Sequence, residues 1–145
     1  MENKGFSLVE LIIVIAVMAI LVAIVAPNLT RYLHSSKKET DARNLDEVEH
    51  QVFNCISEAA TKDIEIIVGS TGTMFANYEL EYDSSTGKSV VTAKSNGDSN
   101  FAVLLTETLE EATTASSMDK NKKKIGIKIS KRLAGGYDVK TGYIS

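Results

Sequence analysis

Lys4-Gly5-Phe6-Ser7-Leu8-Val9-Glu10 opens directly onto Leu11–Ala26, a run with no charged side chain that ends at Pro27. From Phe6 to Pro27 the polar side chains are Ser7 and Glu10 alone. About 22 residues at ~1.5 Å each form a helix roughly 33 Å long, enough to cross a bilayer core. Met1–Gly5 precede it, with Glu2 and Lys4 as their charged side chains. A secretory signal peptide also opens on a basic residue and an apolar run. This run is longer than a signal core, no clean small-x-small cleavage site follows it, and an acid sits near its start. The segment therefore reads as a helix that stays in a membrane.

Glu10 is the informative residue. An ionised carboxylate well inside a bilayer costs about 2.5–3.5 kcal/mol on insertion scales, so it needs water or a partner. In an isolated chain its place near the start of the run gives access to the interface. A chain beginning at Phe6 would instead carry an α-amino group four residues from Glu10, on the same helical stripe. In a bundle of such helices one carboxylate could pair with the amine of a neighbouring copy, where a matched pair is tolerated and a lone charge is not.

The stretch from Lys4 to Glu10, with the apolar run and Pro27, resembles the processing motif of type IV prepilins. It combines a short leader ending in Gly5, Phe6 at the cut, Glu10 at the fifth mature position, a hydrophobic segment and Pro27 at its far end. The detailed likeness covers Lys4 to Pro27. It implies that residues 1–5 are a leader, cut between Gly5 and Phe6 by a membrane aspartic prepilin peptidase that also methylates the new Phe6 amine. It further implies a single-pass membrane protein that leaves the bilayer to join copies of itself in a helical, cell-surface filament. The implied partners are an inner-membrane assembly platform, minor pilins and, before assembly, the lipid bilayer. Pro27, lacking an amide hydrogen, should kink or loosen the helix. In the family the stretch before this proline is unwound in some assembled pili, and a plain membrane-exit kink explains the proline equally well. One departure stands out: many Gram-negative pilins close their C-terminal region with a disulfide, and a chain with one cysteine cannot. That points weakly to a Gram-positive source or to a minor or atypical pilin.

Beyond Pro27 a helical stripe resumes over residues 28–60, with Leu33, Leu45, Val48, Val52, Ile56 and Ala59 at three- and four-residue steps, joined by Phe53 and Ala60. Glu39, Asp41, Arg43, Asp46, Glu47 and Glu49 fill the other faces, turned toward water or neighbouring subunits. Cys55 lies on the stripe and reads as a buried core thiol. Residues 61–145 read as a globular α+β head, opening with the apolar run Ile64–Val68 and a turn-rich stretch, Gly69–Thr73. Tyr78, Leu80 and Tyr82 alternate with acids, Asp83–Gly87 turns the chain, and Val90–Ala93 returns as a strand. After a break at Ser95–Ser99, Phe101, Leu104, Leu105, Leu109 and Ala112 mark a short helix capped by Asp98 or Ser99. Ile125, Ile127 and Ile129, a Gly135-Gly136 turn, and Tyr137, Val139 and Tyr143 complete the pattern. The expected fold is α+β: a long N-terminal helix, half transmembrane and half amphipathic, packed on a small antiparallel sheet.

Nothing in the sequence calls for catalysis, a metal or a cofactor. His34 and His50 stand apart from any cysteine or paired carboxylate at ligand spacing. Net charge is −3, which argues against nucleic-acid binding by the whole chain. Local charge differs: Lys120, Lys122, Lys123 and Lys124 precede Lys128, Lys131 and Arg132. Lys122, Lys123 and Lys124 are candidate contacts for a polyanion or surface receptor, or a lysine-rich edge that keeps a sheet soluble. The acidic residues Asp46, Glu47 and Glu49 offer them a partner surface on another subunit. Three functions remain: a type IV pilus subunit serving adhesion or motility, a pseudopilin of a type II secretion or DNA-uptake system, or a membrane-tethered binding module that never polymerises.

Overall fold

The computed structural model describes residues 7–64, 66, 75–94, 97–112, 114, 116, 118–119 and 121–145. The leader, the Gly5–Phe6 junction, the Gly69–Thr73 turn and Lys120 lie outside them. Two compact units divide the chain, Met1–Lys37 and Lys38–Ser145.

Helix α1 spans Leu8–Thr61. In the first unit its apolar side chains, from Leu8 to Leu33, are at least half exposed on every side of the helix. A helix apolar all round requires lipid or other helices as its surroundings. Among the described residues it is the one helix long and apolar enough to cross a membrane. It runs through Pro27 without a break, although that residue gives the Ala23 carbonyl no amide donor. Beside the proline, the Asn28 side chain donates to the Ile24 carbonyl at 3.4 Å and the Thr30 hydroxyl to the Ala26 carbonyl at 3.0 Å.

In the second unit the buried face of α1 is Asp41, Val48, Val52, Cys55 and Ala59. Leu45, Phe53 and Ile56 flank it, half-buried. Leu33 and Ala60 were expected on this stripe and are exposed, because the stripe meets its partners only between Asp41 and Ala59. The helix stops where Asp63 takes a left-handed φ of 57° and the Ile64 amide reaches back to the Ala59 carbonyl at 2.9 Å. That six-to-one bond closes the last turn, and aspartate tolerates the conformation better than most residues.

Four antiparallel strands form one sheet in the order β2-β1-β3-β4, with β1 Phe75–Asp83, β2 Lys88–Ala93, β3 Lys124–Lys131 and β4 Tyr137–Ile144. Tyr78 and Leu80 on β1, Val91 on β2, Ile125, Ile127 and Ile129 on β3 and Val139 on β4 point into the core. The two-residue alternation of the sequence thus sets the inward face. Tyr82, which continues that alternation, is exposed, since it lies at the turn end of the β1–β2 hairpin. The hairpin turns through Asp83, whose carboxylate takes the Ser85 amide at 2.8 Å, and Gly87 at a φ of 74°. Helix α2, Ser99–Leu109, starts at Asp98, whose side chain accepts the Phe101 amide at 2.8 Å. It buries Phe101, Leu104, Leu105 and Leu109 in the core shared with α1 and the sheet, while Ala112 lies past its end.

Cys55 is fully buried in this core. Burial pushes its thiol pKa up, against a smaller opposing pull from the Thr108 hydroxyl. Both solvent access and thiolate fraction are therefore low. Native chain should react with a thiol reagent at least about a hundredfold more slowly than chain in strong denaturant, because labelling waits on opening of the head. Equal rates in the two conditions would place the thiol at the surface.

Candidate functional site

Two regions carry the residues that the sequence singles out, one in each unit. In the first, α1 begins as a reciprocal cap. Ser7 accepts the Glu10 and Leu11 amides on its carbonyl at 3.1 and 3.3 Å, and its own amide donates to Glu10 Oε2 at 2.9 Å. The Ser-x-x-Glu spacing is the arrangement in which the glutamate returns to the capping residue's amide. The carboxylate also lies at the positive end of the helix dipole. Glu10 thus has a partner within its own chain, in addition to any that assembly would bring. The Ser-x-x-Glu spacing that makes this bond possible is present in the sequence itself.

Glu10 is the sole acidic or basic side chain from Ser7 to Thr30. It stands at the head of an apolar helix exposed on all sides. Residues 1–26 match the model of the prokaryotic N-terminal methylation motif. The N-terminal segment is prepilin-like. A 59-residue stretch is 36% identical to prepilin peptidase-dependent protein A of Clostridium perfringens (strain 13 / Type A), covering 41% of this chain and 42% of that protein. The chain thus spans less than half the length of the curated relative it matches. No solved structure matches the chain.

In the head, the lysines that the sequence groups as one patch divide into two kinds. Lys124, half-buried, donates to Glu81 at 2.9 Å and lies 4.0 Å from Glu79. The bond to Glu81 raises its pKa, with further support from the charges of Glu81 and Glu79. Lys122 and Lys123 are exposed and make no ion pair within 4.0 Å among the described residues. Lys124 thus differs from Lys122 and Lys123 in having acidic partners on β1. Lys124 serves the sheet, and two lysines lead into it.

The segment that sets down those two lysines is tied to α1 by a residue that the sequence reading placed in solvent. Asp41 is buried and accepts from the Ser116 hydroxyl and, at 3.3 Å, from the Met118 amide. Ser116 Oγ in turn accepts the Met118 and Asp119 amides at 3.2 and 3.1 Å. The Ser116 amide donates to the Lys122 carbonyl at 2.9 Å. A buried carboxylate persists only with donors of this kind, so Asp41 acts as an anchor rather than as part of an acidic outer face. His34 and His50 are exposed. Among the described residues no three His, Cys, Asp or Glu side chains gather around a possible metal ion.

Proposed function

We propose that this chain is a structural subunit of a type IV pilus, held in the membrane by α1 and then drawn into an extracellular filament for adhesion or motility. The supporting observation is the apolar helix segment that carries one carboxylate, Glu10, at its head and leaves its large apolar side chains from Leu8 to Leu33 exposed. Exposed apolar surface on this scale needs lipid before assembly and like helices after it. In this reading prepilin peptidase cuts between Gly5 and Phe6 and methylates the Phe6 amine. The name of the Clostridium relative, which records dependence on such a peptidase, supports that step. The amine freed on one copy then pairs with Glu10 of the next. An inner-membrane platform drives the transfer, minor pilins join it, and the chain itself performs no catalysis.

A pseudopilin of a secretion or DNA-uptake system would share the whole N-terminal apparatus, and it is the second reading. Long surface fibres made mostly of this chain favour the pilus, and short envelope-spanning ones favour the pseudopilin. Mass spectrometry of the chain recovered from its host tests the shared core of both readings. The expected N-terminus is a methylated Phe6 in material that pellets as polymer. Chain that keeps Met1–Gly5 and is never polymeric would overturn both.

A further inference from the structure

The outer face of the sheet breaks a rule of cross-strand pairing. Lys128 on β3 stands directly opposite Lys140 on β4, both exposed, on the face that alternates with the buried Ile127, Ile129 and Val139. Like charges in that register repel. In a neighbouring pair on the same face, Gly126 stands opposite Gly142, and neither has a positive φ. A Cβ on Gly142 would meet nothing within 4 Å, and one on Gly126 would make ordinary contacts, the nearest with Ile144 at 3.5 Å. Nothing within the head requires glycine at either position. Mid-strand glycine weakens a strand and often marks where another chain comes close.

The helix layer of the same head carries the complementary chemistry. A groove of about 470 Å³ between α1 and α2 is lined by Glu47, Gln51, Glu107, Glu110 and Glu111, among others. Lys88 holds Glu110 at 2.9 Å, while Glu47, Glu107 and Glu111 have no ion pair within 4.0 Å among the described residues. Gln51 donates to Glu47 at 3.4 Å, and its buried Oε1 has no hydrogen-bond partner. The groove thus offers three carboxylates that have no ion pair among the described residues, and a lysine ammonium is all donor.

We propose that the Lys128–Lys140 face of one head seats against the Glu47–Glu107–Glu111 groove of the next copy, with the Gly126–Gly142 floor allowing close approach. The inference rests on the filament reading above and supplies the contact between heads. Two different surfaces meet in it, so a pair of copies keeps one of each kind unfilled. Repetition of such a heterologous contact builds an open helix where its rotation does not close a ring, and never an isologous dimer.

The test uses full-length chain in cells that assemble it, with sheared multimer as the readout. Lys128→Glu with Lys140→Glu lowers multimer at least about tenfold, and Glu107→Lys with Glu111→Lys does the same, because each places like charges face to face. Combining all four restores it to within about threefold, since the coupled terms cancel. Zero-length carbodiimide coupling of unaltered multimers, which is independent of any folding defect in the variants, joins Lys128 or Lys140 of one copy to Glu47, Glu107 or Glu111 of another. Unaltered multimers whose links avoid these residues, or reversal variants that assemble normally, overturn this contact and leave the filament reading in place. If the unaltered chain forms no multimers, both fall.

Discussion

Glu10→Ala is expected to remove the chain from polymer while leaving it in the membrane. In the single chain the substitution removes the bond to the Ser7 amide, a loss of about 0.5–1.5 kcal/mol for one hydrogen bond, confined to the first turn. Bilayer residence should improve, since the lost carboxylate costs about 2.5–3.5 kcal/mol at depth. Assembly responds in the opposite direction. Removing one partner of a desolvated charge pair costs about 3–5 kcal/mol, so incorporation beside unaltered copies should fall more than about a hundredfold. Glu10→Gln separates the two roles, because its amide oxygen can still accept the Ser7 amide while the charge is gone. If pairing with a neighbour's amine is the essential part, Gln assembles as poorly as Ala. Near-normal polymer from Glu10→Gln would assign the role to the cap, and normal polymer from Glu10→Ala would remove the residue from assembly altogether. The measurement is polymer yield against membrane-held chain, with the N-terminus of each variant determined by mass spectrometry.

How far the sequence led can be read from which residues answered to simple periodicity. The inward set Ile125, Ile127 and Ile129 and the helix stripe Val48, Val52, Cys55 and Ala59 were legible because burial repeats at the period of the element. The Asp98 cap and the turn at Gly135 and Gly136, with φ of 89° and 84°, were legible because those geometries admit few residue types. Asp41 was not. An aspartate among charged neighbours on a helix normally faces water, and its donors, Ser116 and Met118, come from residues 75 and 77 positions later in the chain. Pairing of Lys124 with Glu81 was hidden for the same reason, since it depends on the β1–β3 register that places those residues side by side. The acidic groove required knowing that α2 lies beside α1, which no local pattern encodes. For the N-terminal motif the position is reversed. Its recognition came from sequence, and the structure added the cap at Ser7 that the motif alone did not reveal.

Phe101→Ala should produce the largest loss of stability in the head. Phe101 is fully buried, and its ring meets the edge of Tyr78 with centroids 5.6 Å apart and planes at 67°. The two residues are also joined through Asp98, whose amide donates to the Tyr78 hydroxyl at 3.0 Å while its carboxylate accepts the Phe101 amide. The Phe101 ring therefore packs the start of α2 against Tyr78 of β1, beside a cap that its backbone amide makes. Removing the ring costs about 3–5 kcal/mol in transfer and cavity terms, a large fraction of the ~5–15 kcal/mol that holds a domain together. With a urea dependence of about 1–3 kcal/mol per molar for small proteins, the unfolding midpoint should drop by roughly 2 M. Cys55 supplies the probe, being fully buried until the head opens, so thiol labelling against urea on full-length chain in detergent reports the transition. Leu133→Ala is the control: its side chain is 94% exposed, and surface changes of this kind move stability by about 0.5 kcal/mol or less. If the Phe101→Ala midpoint stays with that of Leu133→Ala, α2 is not held by its aromatic anchor, and the groove it forms with α1 has no fixed wall.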